Sequence, residues 1–469
     1  MEDGWTVGFE NLEEEHHRAE CAITGTLPAA LRGCLFRNGP ARHTVYGDRY
    51  NTWFDGDGMV HAIRFSDGGV TATNRFVATR WKAEEDRAQR RLFASYGTPA
   101  GGGVLARLKR RDDPKNPANT SVWAHAGKLW ALCEGGRPHA LDPETLETLG
   151  EDDLGGVLAP DRLYSAHPRR CGQTGALWNF GVEYGARPAL HLYETTAEGR
   201  SRQVATLGLP WMALVHDFVL TPRWAVFVVP PLSMPKIPMA VILGQQSFGQ
   251  SLRWRPERGT RILAVHRETG AVRTAQGPPI MVFHAIQGWE EEDDLVLDLC
   301  AYPDDGLQGF IAGVMRGDAS MPSRPEVQRW RVGTDGQVDR RTLAAMPLEL
   351  PRIAAGAFGA EARTVWGIGW SEAHGFLAQV TAIDLSTGAA TQAPLAPWEY
   401  AGEPVPVAKA DPMAPPYLLS VVLDARARRS RVDVLDAADL SAPPVAQVRL
   451  PYAMPFGFHG GWAPDPRPA

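Results

Sequence analysis

A strand, a short polar turn and a return strand recur seven times along this chain. They read as IRFSDGGV (63–70), ALDPETLE (140–147), HLYETTAEGR (191–200), LAVHRETGAV (263–272), RWRVGTDGQV (329–338), TAIDLSTGAA (381–390) and DVLDAADLSA (433–442). Anchored on the turn residues Asp67, Thr145, Glu198, Thr269, Asp335, Thr387 and Asp439, the steps are 78, 53, 71, 66, 52 and 52 residues. A small antiparallel sheet cannot hide both of its apolar faces alone, so hairpins at this spacing predict sheets stacked around a ring. The expected fold class is all-β, a seven-bladed propeller. Steps longer than a usual blade predict extra loops and short helices that cap one end, the segment 90–109 among them. The 38 prolines and 48 glycines punctuate strands along the whole chain, and no linker or charge run divides it. A single domain over residues 1–469 is expected.

Four histidines share one phase of this repeat. His167 in YSAHPRR, His216 in LVHDFVL, His284 in VFHAIQGW and His459 in PFGFHGGW follow their turns by 15 to 22 residues. Glu349 in PLELPRI and Glu403 in AGEPVPV follow theirs by 14 and 16. All six fall in segments leading into the next blade, where the innermost strands of a propeller line its axis. Any one of these histidines alone reads most simply as a core residue with satisfied hydrogen bonds. Four at one phase predict convergent imidazoles and a metal site. The other histidines lack the phase, and His61 is expected to be structural.

Net charge is −6, and no basic cluster is dense enough to track a phosphate backbone, so nucleic-acid binding is not expected. The locally basic LARLKRRDDPK (105–115) reads as a solvated loop or a lipid-facing rim. Five cysteines form neither a paired framework nor a metal knuckle, which predicts reduced thiols in a cytoplasmic protein. The acidic N-terminus has no apolar core of a secretory signal. No apolar run reaches the ~20 residues that span a bilayer. The segment 230–254 is nevertheless apolar, and Met239, Val241, Ile242, Leu243 and Phe248 are its candidate patch for substrate entry or peripheral contact with the inner face of a membrane, with Lys236, Arg253 and Arg255 near the headgroups. A buried connection between blades is the competing reading of the same segment.

From end to end, LFRNGP (35–40), WFDGDGMVHAIRF (53–65), NTSVWAHAGKLWALCEGGRPHALDPETL (119–146), SAHP, VHDF, FHAIQGW, EPVPV and PFGFHGGW occur in order. This series resembles the carotenoid cleavage oxygenase family of iron-dependent enzymes. The resemblance implies a capped seven-bladed propeller, Fe(2+) held by His167, His216, His284 and His459, and ligand orientation by Glu134, Glu349 and Glu403. Dioxygen is the implied co-substrate. Four neutral imidazoles leave the metal charge uncompensated and two octahedral positions open. A glutamate that accepts the Nδ1 proton fixes Nε2 as the ligating atom and restores negative charge. Zinc fits less well, since its catalytic sites usually keep three protein ligands.

The implied reaction is oxidative cleavage of one carbon–carbon double bond in a hydrophobic polyene, a carotenoid or apocarotenoid, giving carbonyl products of the retinal type. The implied protein is a monomer. In the stilbene-cleaving branch a lysine precedes the first glutamate and an upstream tyrosine helps to engage a phenol. Here the lysine position is Cys133, while Tyr96 could fill the tyrosine role. A thiol cannot supply the charge that favours a phenolate, so the stilbenoid substrate stands as the alternative. A non-catalytic propeller that binds a hydrophobic ligand and an isomerase-hydrolase are the further alternatives.

Overall fold

The computed structural model describes residues 4–110 and 114–465. All seven expected hairpins are present, among them the pairs Asp57–Ser66 with Gly69–Phe76, Ala189–Thr195 with Ser201–Gly208, and Glu326–Val332 with Val338–Ala344. Five of them close separate four-stranded antiparallel sheets, spanning 121–151, 169–208, 219–277, 281–344 and 348–392. The architecture is an all-β propeller.

The expectation of seven separate sheets is not met, because the two remaining hairpins lie in one ten-stranded sheet. The cause is the N-terminal strand His16–Gly25. Residues 16–21 pair with Gly69–Phe76, and residues 22–25 pair with Ala446–Arg449. The C-terminal strand Gly460–Pro464 pairs in turn with Gly33–Arg42. Both ends of the chain are thereby knitted across the ring closure.

Apolar patterning explains where the core sits. Trp224–Val229 is buried at every position, as required of a strand whose two faces are both covered by neighbouring sheets. The outermost strand Ser201–Gly208 is mostly exposed or half-buried. Trp178, Phe180, Leu192, Phe218 and Phe227 pack between two adjacent sheets. Each such side chain contributes about 1.5–3 kcal/mol by leaving water.

One end of the ring is covered by short elements. These include Gly4–Phe9, the helices Arg80–Ala88 and Gly306–Gly313, and the two-helix insertion Met239–Ile242 and Phe248–Ser251. Thr79 caps the helix Arg80–Ala88 by accepting the Lys82 N–H. Glu85 of that helix accepts the N–H groups of Leu92 and Phe93, so the following segment is pinned beside it. The basic segment 105–115 is described except for residues 111–113, which lie outside the described residues. Among the described residues no helix is long and apolar enough to cross a membrane.

Candidate metal centre

The four phased histidines meet on the axis. His167 precedes the short inner strand Arg169–Arg170, His216 precedes Val219–Leu220, His284 lies within Met281–Glu291 and His459 directly precedes Gly460–Pro464. All four are buried, and one ring nitrogen of each lies within 4.8 Å of the others. The Nε2 atoms of His167 and His216 are 2.8 Å apart, and those of His284 and His459 are 3.1 Å apart.

Local irregularities aim these side chains. The ladder between Met281–Glu291 and its partner slips between Val282 and Ala285, so His284 sits on a bulge that turns it inward. The strand Leu348–Arg352 slips between Glu349 and Arg352, and Leu350 takes the left-handed φ of 51°. This kink sends Glu349 to His284 and Arg352 to Glu403. After His459, a Cβ on Gly460 would stand 2.0 Å from the Phe36 carbonyl oxygen, so only glycine lets the strand follow the histidine there.

Three of the imidazoles rest on glutamates through Nδ1. Glu134 meets His216, Glu349 meets His284, and Glu403 Oε1 lies 2.8 Å from His459 Nδ1. Glu349 lies in the inner strand Leu348–Arg352, and Glu403 lies in the short break between the inner strands Glu399–Ala401 and Val405–Val407, at the phase counted from the turns. Glu134 instead enters from the turn after Lys128–Leu132, off the repeat phase. Among the described residues the fourth histidine, His167, is held through its backbone, which donates to Ser165 Oγ at 3.1 Å.

Charge around the centre is closely matched. Burial alone would raise the Glu403 carboxyl, but Arg352, His459 and Arg37 outweigh it and hold the group well below the usual carboxylate range. Arg37 Nη1 donates to Glu403 Oε2 at 2.5 Å, Arg352 to Oε1 at 2.9 Å, and Gly460 N–H to Oε2 at 3.0 Å. Burial pushes His459 down to about 4 despite the opposing pull of Glu403. Burial, followed by the other three imidazoles, holds His167 well below its ordinary value. Burial works against charge on His284 too, but Glu349 prevails and raises it. Four buried imidazoles, three of them oriented through Nδ1 by carboxylates, fit a divalent transition-metal ion and not a hard cation such as magnesium, which prefers oxygen.

A cavity of about 300 Å³ opens above these rings on the capped side. Phe54, Phe283, Phe310, Phe376, Phe456 and Phe458 are among its walls. Phe283 stacks on His216 with ring centroids 3.6 Å apart, joining the apolar wall directly to the imidazole cluster. From the segment 90–109, Ser95 and Tyr96 reach this cavity. The Tyr96 hydroxyl donates to Gln308 Oε1 at 2.5 Å.

Cys133 also lines the cavity, and burial raises its thiol to about 12. A lysine does stand on the same wall, Lys115, but its ammonium is fully committed. It lies 2.6 Å from Asp57, 2.7 Å from Glu85 and 2.7 Å from the Tyr50 hydroxyl. His61 is bonded to the Tyr452 hydroxyl at 3.1 Å and is separate from the four-histidine cluster.

The five apolar residues of the candidate entry patch divide. Met239 and Leu243 are 52% and 37% exposed, and Ile237 beside them is 67% exposed. Val241 and Ile242 are half-buried, while Phe248 turns inward, touching Tyr96 and Tyr184 and lining the cavity. The sequence pattern did not single out Arg37, Arg352 or Asp217. Arg37 lies inside the LFRNGP motif, and Asp217 follows His216 directly, so motif membership was their only available signal.

A model of the retinal pigment epithelial membrane protein family matches residues 9–464. Over 479 residues the chain is 30% identical to the apocarotenoid-15,15'-oxygenase of a Synechocystis species, covering 98% of this chain and 96% of that protein. It is 28% identical to the isoeugenol monooxygenase of Pseudomonas nitroreducens, covering 95% and 94%. It is 28% identical to carotenoid 9,10(9',10')-cleavage dioxygenase 1 of Phaseolus vulgaris, covering 97% and 88%. The solved structure of a cobalt-substituted Synechocystis apocarotenoid oxygenase superposes with a TM-score of 0.88 at 28% identity, covering 99% of both chains.

Proposed function

We propose, from the premise that this chain belongs to the retinal pigment epithelial membrane protein family, that it is a non-haem Fe(2+) dioxygenase cleaving a double bond of a carotenoid or apocarotenoid. The observation that carries this reading is the convergence of four buried imidazoles, one ring nitrogen of each within 4.8 Å of the others, at the base of an aromatic cavity. In this reading His167, His216, His284 and His459 hold the ion, and Glu134, Glu349 and Glu403 orient His216, His284 and His459. Iron bound there supplies the redox chemistry by which dioxygen reacts with the double bond.

The chain's own share is positioning. The aromatic walls exclude water and hold an extended apolar polyene so that one bond among many similar ones lies beside the imidazoles. Met239 and Leu243, with Val241 and Ile242 behind them, form the membrane-facing rim of the entrance, and Phe248 lines the passage inward. We read the protein as a monomer. Five free cysteines support a reducing, cytoplasmic setting, with contact at a membrane surface. We read residues 1–469 as one domain. The ten-stranded sheet then counts as two blades joined by His16–Gly25, which with the five separate sheets makes seven.

Tyr96 favours the second reading, a phenolic stilbenoid-type substrate, since this tyrosine lines the cavity. Two features weigh against it: the neutral Cys133 thiol, and the engagement of Lys115 by two carboxylates. Incubating the iron-loaded protein in air with apocarotenals, full-length carotenoids and stilbenes, and weighing the products by mass spectrometry, separates the readings. Paired carbonyl fragments from an apocarotenal are expected. Cleavage confined to stilbenes would move the assignment to the second reading.

A further inference from the structure

The imidazole cluster has two faces, and the second opens on a different kind of space. Opposite the aromatic cavity lies a small cavity of about 40 Å³, room for a few water molecules. His284 and His459 line both cavities, His216 lines only the aromatic one and His167 only the small one. The imidazoles are therefore the partition between them.

The walls of the small cavity are ionic. Asp217 and Glu403 are almost fully buried, and each is paired with an arginine, Arg169 and Arg352 respectively. The arginine side chains are 29% and 25% exposed, so this side communicates with solvent. Trp123, half-buried on the inner strand Ser121–His125, completes the rim.

A hydrated divalent cation cannot cross an aromatic cavity without surrendering its water to walls that offer nothing in return, which is among the most costly transfers in protein chemistry. The small cavity offers carboxylate oxygens and imidazole nitrogens in place of that water. We propose that this ionic cavity is the port through which the centre takes up its metal ion, so that ion and apolar substrate enter from opposite faces of the imidazole partition. The inference rests on the reading of the four histidines as metal ligands.

Arg169 and Arg352 balance the charge of the two carboxylates at the port. Arg169 donates to the Ala285 carbonyl at 2.8 Å and to the Phe218 carbonyl at 3.1 Å, as well as to Asp217. Asp217 accepts the Ala285 N–H at 2.9 Å and the Phe218 N–H at 2.7 Å. The rim is thus built from residues adjoining His167, His216 and His284, and an incoming cation meets anchored acceptors rather than mobile loops.

The test follows the rate of cobalt(II) uptake into metal-free full-length protein by its visible absorption. The variants are Trp123→Arg, which places a cation at the ionic port, Trp123→Ala, which widens it, and Phe248→Arg, which places a cation at the aromatic cavity. Uptake roughly tenfold or more slower in Trp123→Arg is expected from repulsion across a partly buried site, relieved by salt. Trp123→Ala should load at least as fast as the parent, and Phe248→Arg at the parental rate. Uptake slowed by Phe248→Arg but unaffected by both Trp123 variants overturns the port, as does a parental rate in Trp123→Arg. The final cobalt stoichiometry reads the underlying assignment separately. A parent protein that binds no cobalt at equilibrium removes the metal reading itself and the port with it.

Discussion

His459 and Glu403 lie 2.8 Å apart, and the carboxylate that faces this imidazole is itself gripped by Arg37 and Arg352. The glutamate is thus anchored before it orients anything, and its charge is locked in the ionised state by two guanidiniums. Glu403→Gln preserves the shape but removes the charge that fixes the tautomer of His459. Metal affinity or activity should fall by about 10–100-fold, read by chelator competition and by turnover. Glu349→Gln should behave alike through His284. Parental values in both variants would show that these carboxylates do not serve the centre.

Lys115 predicts a stability effect with no chemistry in it. Its ammonium is fully buried between Asp57 and Glu85, and this contact ties the helix Arg80–Ala88 to the propeller. Lys115→Met leaves the buried Glu85 without its counter-ion and Asp57 with Arg42 alone, 3.5 Å away, and breaking such a buried pair costs about 3–5 kcal/mol. The midpoint of urea denaturation should fall accordingly. A loss below roughly 1 kcal/mol, the range of surface pairs, would mean that the network is solvated.

If the exposed apolar side chains Ile237, Met239 and Leu243 form the proposed entrance, they predict a delivery phenotype. Replacing Ile237, Met239 and Leu243 by serine should weaken liposome flotation and slow the cleavage of membrane-borne substrate, while turnover of detergent-dispersed substrate and metal content stay near parental. Each side chain that enters the interface contributes up to about 1.5–3 kcal/mol, so three together suffice to shift the partition measurably. Loss of folding in the triple variant would place the segment in the core instead.

The hairpins were legible because each is written locally, in a turn such as SDGG or ETG between alternating strands. The inner-strand phase, counted from those turns, located four histidines and two glutamates. Glu134 escaped that count because it enters from a turn after a second strand, and only the ordered motifs pointed to it. Sheet closure was illegible, since it depends on His16–Gly25 finding partners at both ends of the chain. Arg37 was illegible for the same reason: its partner Glu403 is 366 residues away, and no local pattern encodes that meeting. The apolar patch was only half legible, because spacing along 239–248 does not reveal that Phe248 turns inward to Tyr96.

The most direct measurement is metal content under anaerobic purification, for the parent chain and for alanine variants of His167, His216, His284 and His459. The account predicts roughly one iron per chain in the parent and background iron, with no cleavage, in each variant, since a four-imidazole site has no redundant ligand. Near-stoichiometric iron and full turnover in any one of the four would contradict the assignment of that histidine. Their persistence in all four would contradict the centre.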